Sequence, residues 1–269
     1  MAALASPPGP VAATIPMQSS RFPRHRAFTL LELLLAMVVM ALLVAGAAMP
    51  LAAQVQMRRA EEARRQLEEA RDAILGFAVA HGRLPCPATL ASLGEEAFAT
   101  GSNSNDGGCM DFHAGLLPAA ALALPNLDAA GFARDPWASE RNRIRYAVFG
   151  GAINGVSHAL TRANGMQMAT LQGLGAASHY LYVCSTGTLA NASGCGPASS
   201  QATRRAAFVL LSTGLNGALE PAAGTDEARN LDGNGVFVSH ETGPDFDDQL
   251  HWGAIHLVVN RMVVAGRLP

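Results

Sequence analysis

The chain has 269 residues, of which 49% are hydrophobic and only 15% are charged. An average soluble domain has about 25% charged residues, so the composition indicates a folded protein with one unusually apolar part. The 19 cationic side chains are all arginines, and 21 acidic ones bring the net charge to −2. This balance excludes a broadly basic surface of the kind that binds nucleic acid.

The first part of the chain predicts a membrane anchor. Residues 1–20 are rich in proline and alanine, and Arg21, Arg24 and Arg26 follow them. Residues 33–53 then contain no charged side chain, and as a helix they would be about 31 Å long, close to the roughly 30 Å of a bilayer core. The run exceeds the roughly 7–15 apolar residues of a secretory signal. Arginines before it predict that its N-terminal end stays in the cytoplasm.

Glu32 lies at the beginning of this apolar run. A carboxylate inside a bilayer costs about 2.5–3.5 kcal/mol. One interpretation is an interfacial residue in the first helical turn, where the helix dipole favours negative charge. The other is a carboxylate with a cationic partner.

Residues 26–33, Arg-Ala-Phe-Thr-Leu-Leu-Glu-Leu, resemble the processing signal of type IV pilins and of the type II secretion pseudopilins. The resemblance implies cleavage by a prepilin peptidase between Ala27 and Phe28, followed by N-methylation of the new amino terminus. It also implies that Glu32 pairs with the terminal amine of a neighbouring subunit, which would compensate its burial in a helical bundle. Two positions depart from the family pattern: Ala27 replaces the usual glycine, and Pro50 lies one residue further from the cut.

The same resemblance implies a single-pass protein of the bacterial inner membrane, with a cytoplasmic N-terminus and a periplasmic C-terminal domain. Its partners would be the prepilin peptidase, other pilin or pseudopilin subunits and the inner-membrane assembly platform. The predicted function is a structural subunit of a type II secretion system or a type IV pilus, assembled into a fibre. The alternative is a minor or tip protein of this class whose domain binds a secreted substrate, a surface or DNA.

Helical periodicity continues beyond the apolar run. Apolar residues recur at spacings of three and four from Met57 to Phe77, which predicts one buried stripe on a helix. His81 and Gly82 then provide a C-terminal stop. We therefore predict three parts, listed in chain order: a leader at 1–27, a long helix at 28–82 with its transmembrane segment at 30–53, and a globular periplasmic domain at 83–269.

The remaining chain is rich in loops and contains short apolar runs. Residues 144–149, 180–184 and 207–212 are enriched in β-branched and aromatic residues, which predicts strands. The spacing of apolar residues in 255–264 fits either a short amphipathic helix or a strand. These elements predict an α+β fold in which the long helix packs on an antiparallel sheet of about 3–5 strands.

Four cysteines follow the predicted anchor, in a compartment where thiols oxidise. They are Cys86, Cys109, Cys184 and Cys195, and three pairings are possible. We favour Cys86–Cys109 and Cys184–Cys195, which would link the two loop-rich segments. The alternative, a zinc site, lacks any Cys-x-x-Cys spacing.

An acidic stretch at 220–248 is the candidate metal site. It has eight acidic residues and one arginine, with glycines beside hard carboxylate oxygens, as in calcium-binding loops. Its ending, 246–252, resembles the C-terminal calcium loop of major pseudopilins. That resemblance implies a bound Ca²⁺, and within the stretch we predict Asp232, Asp247 and Asp248 as its ligands. The alternative is a solvated acidic loop.

The sequence contains no pattern that predicts catalysis. It has no nucleophile elbow, no His-Glu-x-x-His pair and no phosphate-binding loop. We therefore expect the protein not to be an enzyme.

Overall fold

The computed structural model describes residues 29–137, 142–217, 221–243 and 245–269, and for residues 44–52 it describes only the backbone. The predicted leader at 1–27 therefore lies outside the described residues. The chain divides into two compact units, the first ending at Ala52 and the second running from Ala53 to Pro269.

Helix α1 runs from Leu30 to His81, which confirms the long N-terminal helix. Its first turn is capped by Thr29, whose Oγ1 accepts a hydrogen bond from the backbone N–H of Glu32 at 3.2 Å. Within the described residues, no helix combines the length and the apolar character needed to cross a membrane. Residues 44–52 of the predicted transmembrane segment are among those whose side chains are not described.

In the second unit, α1 presents the predicted apolar stripe to the core. Ala63, Leu67, Ala70 and Ile74 are at most 1% exposed, whereas Met57 is 59% exposed. The buried stripe therefore begins at Ala63 rather than at Met57, because burial follows the contacts that the domain provides. The opposite face carries exposed ion pairs between arginines and glutamates one turn apart.

The second unit contains a six-stranded sheet. The strands are β1 (Gly115–Leu116), β2 (Arg145–Val148), β3 (Leu181–Cys184), β4 (Gln201–Ser212), β5 (Val236–Val238) and β6 (Gln249–Ala254). Their order is β1-β2-β4-β3-β5, and β6 also pairs with β4. Since β2 and β6 pair with the same part of β4, they lie on its opposite edges.

The expectation of a purely antiparallel sheet with at most five strands was wrong. The sheet has a sixth strand, and β5 pairs with β3 in parallel. A parallel neighbour needs a long crossover connection, and the chain between Cys184 and Val236, which includes β4, provides it.

Three further helices complete the domain: α2 (Gly165–Ala176), α3 (Asp226–Asn230) and α4 (Ile255–Val264). The sequence at 255–264 fits either a helix or a strand, and the structure shows a helix. This helix buries Ile255, Val258 and Met262. Helix α2 contains one non-helical residue, Thr170, with φ 64° and ψ 155°.

Strand β4 separates two hydrophobic clusters. Phe208 and Leu210 pack with Leu67 and Ile74 of α1 on one face of the sheet. Val209 and Leu211 pack with Phe237 and neighbouring residues on the other face. Because successive side chains point to opposite faces, a strand covered on both sides is a continuous apolar run, as Ala206–Leu211 is.

The four cysteines form two disulfides, Cys86–Cys109 and Cys184–Cys195, with Cα atoms 5.3 Å apart in each. These are the pairs that we favoured from the sequence. All four sulfurs are bonded, so the zinc alternative has no thiolate ligand among them.

Candidate functional site

Two regions contain residues that the sequence singled out: the first turns of α1 and an acidic cluster in the second unit. At the beginning of α1, Glu32 occupies the third position after the cap Thr29 and is exposed. Its carboxylate therefore lies at the helix N-terminus, where the dipole favours it. The predicted cleavage residues Ala27 and Phe28 lie outside the described residues.

Large apolar side chains surround Glu32 on every face of the helix. Leu31 is 76% exposed, Leu33 52%, Leu34 55% and Leu35 61%. Complete burial of a leucine side chain contributes about 1.5–3 kcal/mol of stabilising free energy, and most of this is absent while the side chain is in contact with water. A surface of this kind is stable in water only when lipid or another protein covers it.

The acidic cluster consists of Glu227, Asp247 and Asp248, each of which offers a carboxylate oxygen within 4.8 Å of those of the other two. Glu227 lies on α3, whose first turn is capped by the Oγ1 of Thr225 accepting from the N–H of Ala228. Asp247 and Asp248 immediately precede β6. The cap and the strand thus bring together residues 20 positions apart.

Backbone and amide donors hold the cluster together. The backbone N–H of Asp247 donates to Glu227 Oε1 at 3.0 Å, and Asn216 Nδ2 donates to Glu227 Oε2 at 2.8 Å. Asn230 Nδ2 donates to Asp248 Oδ2 at 2.7 Å. The backbone N–H of Leu215 donates to Asp247 Oδ2 at 2.7 Å. Four of the six carboxylate oxygens in the cluster therefore accept a hydrogen bond.

One buried oxygen of the cluster has no hydrogen-bond donor. Asp247 Oδ1 is buried and accepts no hydrogen bond among the described residues. A buried acceptor without a partner costs about 1–3 kcal/mol, so such an atom calls for a specific explanation.

Burial and mutual repulsion shift the ionisation of these groups. Burial, with Glu227 and Asp247 nearby, raises the pKa of Asp248 to about 7, against the opposing hydrogen bond from Asn230. Burial also raises the pKa of Asp247. Both shifts indicate that the close negative charges are unfavourable in this arrangement and that the nearby Arg145 offsets them only in part.

The structure brings together two of the three predicted metal ligands, Asp247 and Asp248. Asp232 is exposed, and its carboxylate accepts hydrogen bonds from Asn234 in a local turn. It is not part of the group that contains Asp247 and Asp248; Glu227 takes the third position. The sequence signal for Glu227 was the helix start Thr225-Asp226-Glu227, a capping residue followed by acids in the first turn.

Residues 22–48 match the family model described as the prokaryotic N-terminal methylation motif. This motif is the signature of type IV pilins and pseudopilins, so the chain has a type IV pilin-like N-terminal segment. Glu32 and its exposed apolar neighbours lie within the matched residues. No curated protein and no solved structure matches the chain.

Proposed function

We propose that the protein is a structural pilin-like subunit of a type II secretion system or type IV pilus. Prepilin peptidase would cleave it between Ala27 and Phe28, and the new amino terminus would be N-methylated. The methylation motif at residues 22–48 is the observation on which this proposal rests.

The first turns of α1 support an assembly role. Glu32 is exposed, and the apolar side chains around it are exposed as well in the isolated chain. Packing of such helices against one another buries these side chains together with the carboxylate. A buried carboxylate without a partner costs several kcal/mol, so the terminal amine of a neighbouring subunit is its natural counter-ion.

The proposal includes a location and partners. The N-terminal segment would anchor the chain in the bacterial inner membrane, with the arginines in the cytoplasm and the second unit in the periplasm. The partners would be the prepilin peptidase, other pilin or pseudopilin subunits and the assembly platform. The two disulfides agree with an oxidising compartment.

Analysis of the mature N-terminus tests the processing step. We expect mass spectrometry of the protein from its host to find a chain that begins at an N-methylated Phe28. A mature chain that begins upstream of Phe28 would contradict the proposal and leave only a tethered domain.

Paired glutamate variants test the assembly step. We expect E32Q to abolish recovery of the protein in sheared, sedimented fibres, because a neutral amide cannot pair with the terminal amine. Glu61 is also exposed on α1, so E61Q is the matched control and should assemble normally. Normal fibres from E32Q would exclude the proposed role of Glu32.

The domain after the helix, 187 residues (269 − 82), is larger than we expect for a major fibre subunit. This size favours the alternative, a minor or tip subunit whose domain binds a secreted substrate, a surface or DNA. Immunogold labelling distinguishes the two, since a major subunit would label the fibre along its length and a tip subunit at its end.

We also propose that Glu227, Asp247 and Asp248 bind Ca²⁺. Carboxylate oxygens are the ligands Ca²⁺ prefers, and the donor-free Asp247 Oδ1 supports the proposal. Isothermal titration of the full chain in detergent should show binding that E227Q removes. D232N, outside the cluster, should leave it unchanged. Absence of binding by the unchanged protein, or an equal loss in D232N, would refute the site.

A further inference from the structure

A groove of about 510 Å³ lies beside β1 in the second unit. Its apolar lining includes Ala88, Leu90, Ala114 and Leu116, and Leu90 is 68% exposed. Ligand pockets typically have about 300–1,000 Å³ and a mostly apolar lining with a few polar groups. The size and lining of this groove lie within that range.

Two arginines that are two residues apart line the groove, and they differ in their partners. Arg143 donates to Asp128 Oδ2 at 3.0 Å, and its guanidinium lies 4.3 Å from the centre of the Phe132 ring. The side chain of Arg145, the first residue of β2, makes no hydrogen bond or ion pair with any group of the described residues. It is nevertheless half-buried.

A half-buried guanidinium without an acceptor is unfavourable, because its charge loses water without gaining a partner. The same burial lowers the pKa of Arg145, and Asp248 opposes this shift without reaching ion-pair distance. Arginine remains charged even so. Its five donors are therefore available to whatever enters the groove.

The only carboxylate that lines the groove in the described part of the chain is Asp111. One of its oxygens accepts the backbone N–H groups of His113 at 2.8 Å and Ala114 at 3.0 Å. These bonds hold Asp111 in a local turn. Since Arg143 is paired with Asp128, Arg145 is the group that can receive an anion.

We propose that this groove binds a ligand in which a carboxylate is attached directly to an apolar group, with Arg145 as the partner of the carboxylate. A guanidinium matches a carboxylate with two parallel hydrogen bonds. The apolar group would pack on Leu90 and Leu116. A peptide ending in leucine and a small amphipathic acid share this chemistry, and the inference does not depend on fibre assembly.

Fluorescence anisotropy of the full chain in detergent micelles tests this inference. The probes are a fluorescein-labelled Ser-Gly-Gly-Leu peptide with a free C-terminal carboxylate and the same peptide with a C-terminal amide, with empty micelles as the blank. We expect the free acid to bind about tenfold more tightly, because only it can pair with Arg145. Equal affinities, or no saturable binding of the acid, would overturn the proposal.

Competition with unlabelled decanoate distinguishes the two ligand sources. Displacement of the peptide would assign the groove to apolar carboxylates in general. A bound peptide that decanoate does not displace would assign it to peptide C-termini. Both results support the proposed chemistry.

Arginine variants identify the group that is responsible. R145Q should bind the acid and the amide equally. Arg204 on β4 is exposed and makes no side-chain bond among the described residues, so R204Q is the matched control and should keep the preference. A preference for the acid that survives in R145Q would refute the role of Arg145. The comparison of acid with amide uses the unchanged protein, so it decides the proposal even where R145Q does not fold.

Discussion

Two regions of helix α1 have similar apolar side chains and opposite environments. In residues 30–43 the leucine, valine and methionine side chains are 47–85% exposed. In residues 63–74 the apolar stripe is at most 1% exposed, because the sheet and its neighbouring loops cover it. The second region therefore contributes to the stability of its own domain, whereas the first has its apolar surface available for lipid or another protein.

Removal of a buried side chain from the covered region should have the largest effect. Ile74 is completely buried in the cluster beside β4. We expect I74A to lower the free energy of unfolding of the second unit by about 2–5 kcal/mol, since it removes apolar contacts and leaves a cavity. Urea denaturation of the full chain in detergent measures this loss, and a loss below 1 kcal/mol (about the scale of a surface substitution) would contradict the assigned burial.

Loss of one disulfide should have the next largest effect. The Cys184–Cys195 bond joins residues 11 positions apart and ties the loop after β3 to the domain. We expect the C184S/C195S double variant to lose about 3 kcal/mol, because the unfolded chain gains conformational freedom. Thermal unfolding monitored by circular dichroism tests this, and an unchanged midpoint would contradict it.

The contribution of His113 to the pH dependence of the covered domain should be smaller. Burial lowers the pKa of His113, although Asp111 and Asp232 oppose this shift. The folded state then binds fewer protons than the unfolded state below the ordinary pKa of about 6.5. The contribution of His113 is present above that pKa and is lost as the pH falls through the folded pKa.

We therefore expect the contribution of His113, measured as the free energy of unfolding of the unchanged protein minus that of H113Q, to rise between about pH 5 and pH 7. Asp248, whose pKa is raised to about 7, lowers the free energy of unfolding of both proteins as the pH rises through this range, so its effect cancels in the difference. Burial also lowers the pKa of His251. We therefore expect H251Q to differ from the unchanged protein in the same direction as H113Q when the free energy of unfolding is measured against pH. An identical slope in H113Q and the unchanged protein would exclude His113 as a contributor.

Truncation in the exposed region should have the smallest effect on the domain. Leu34 is 55% exposed, so L34A should change the unfolding free energy of the second unit by less than about 0.5 kcal/mol. Under the proposed function the same variant should nevertheless reduce fibre recovery. A destabilisation as large as that of I74A would mean that the two regions do not differ as described.

Local sequence patterns were sufficient to predict the helices and strands that have a strong hydrophobic periodicity. The stripe on α1 and the apolar runs that became β2, β3 and β4 are visible because burial on one or both faces selects a regular pattern. Strand β5 has only three residues, Val236–Val238, within an acidic stretch. Helix α2 is interrupted at Thr170. Neither is long or regular enough to give such a pattern.

In the acidic site, too, the sequence predicted some residues correctly and missed one that only the fold brings in. Asp247 and Asp248 were predicted from a local motif, and the structure places them together. Asp232 was expected beside them because it lies near glycines in the sequence. Glu227 occupies that place instead, since the cap of α3 and the position of β6 decide which carboxylates meet.

The amino-acid sequence alone determined the methylation motif, the acid at the third position of its helix and the favoured cysteine pairs, because each depends on neighbours or on short spacings. The folded chain alone decided that β5 joins the sheet in parallel, that Glu227 completes the acidic cluster and that Arg145 faces a groove without a partner. Those features depend on residues brought together from distant parts of the chain, and no local pattern encodes such distances.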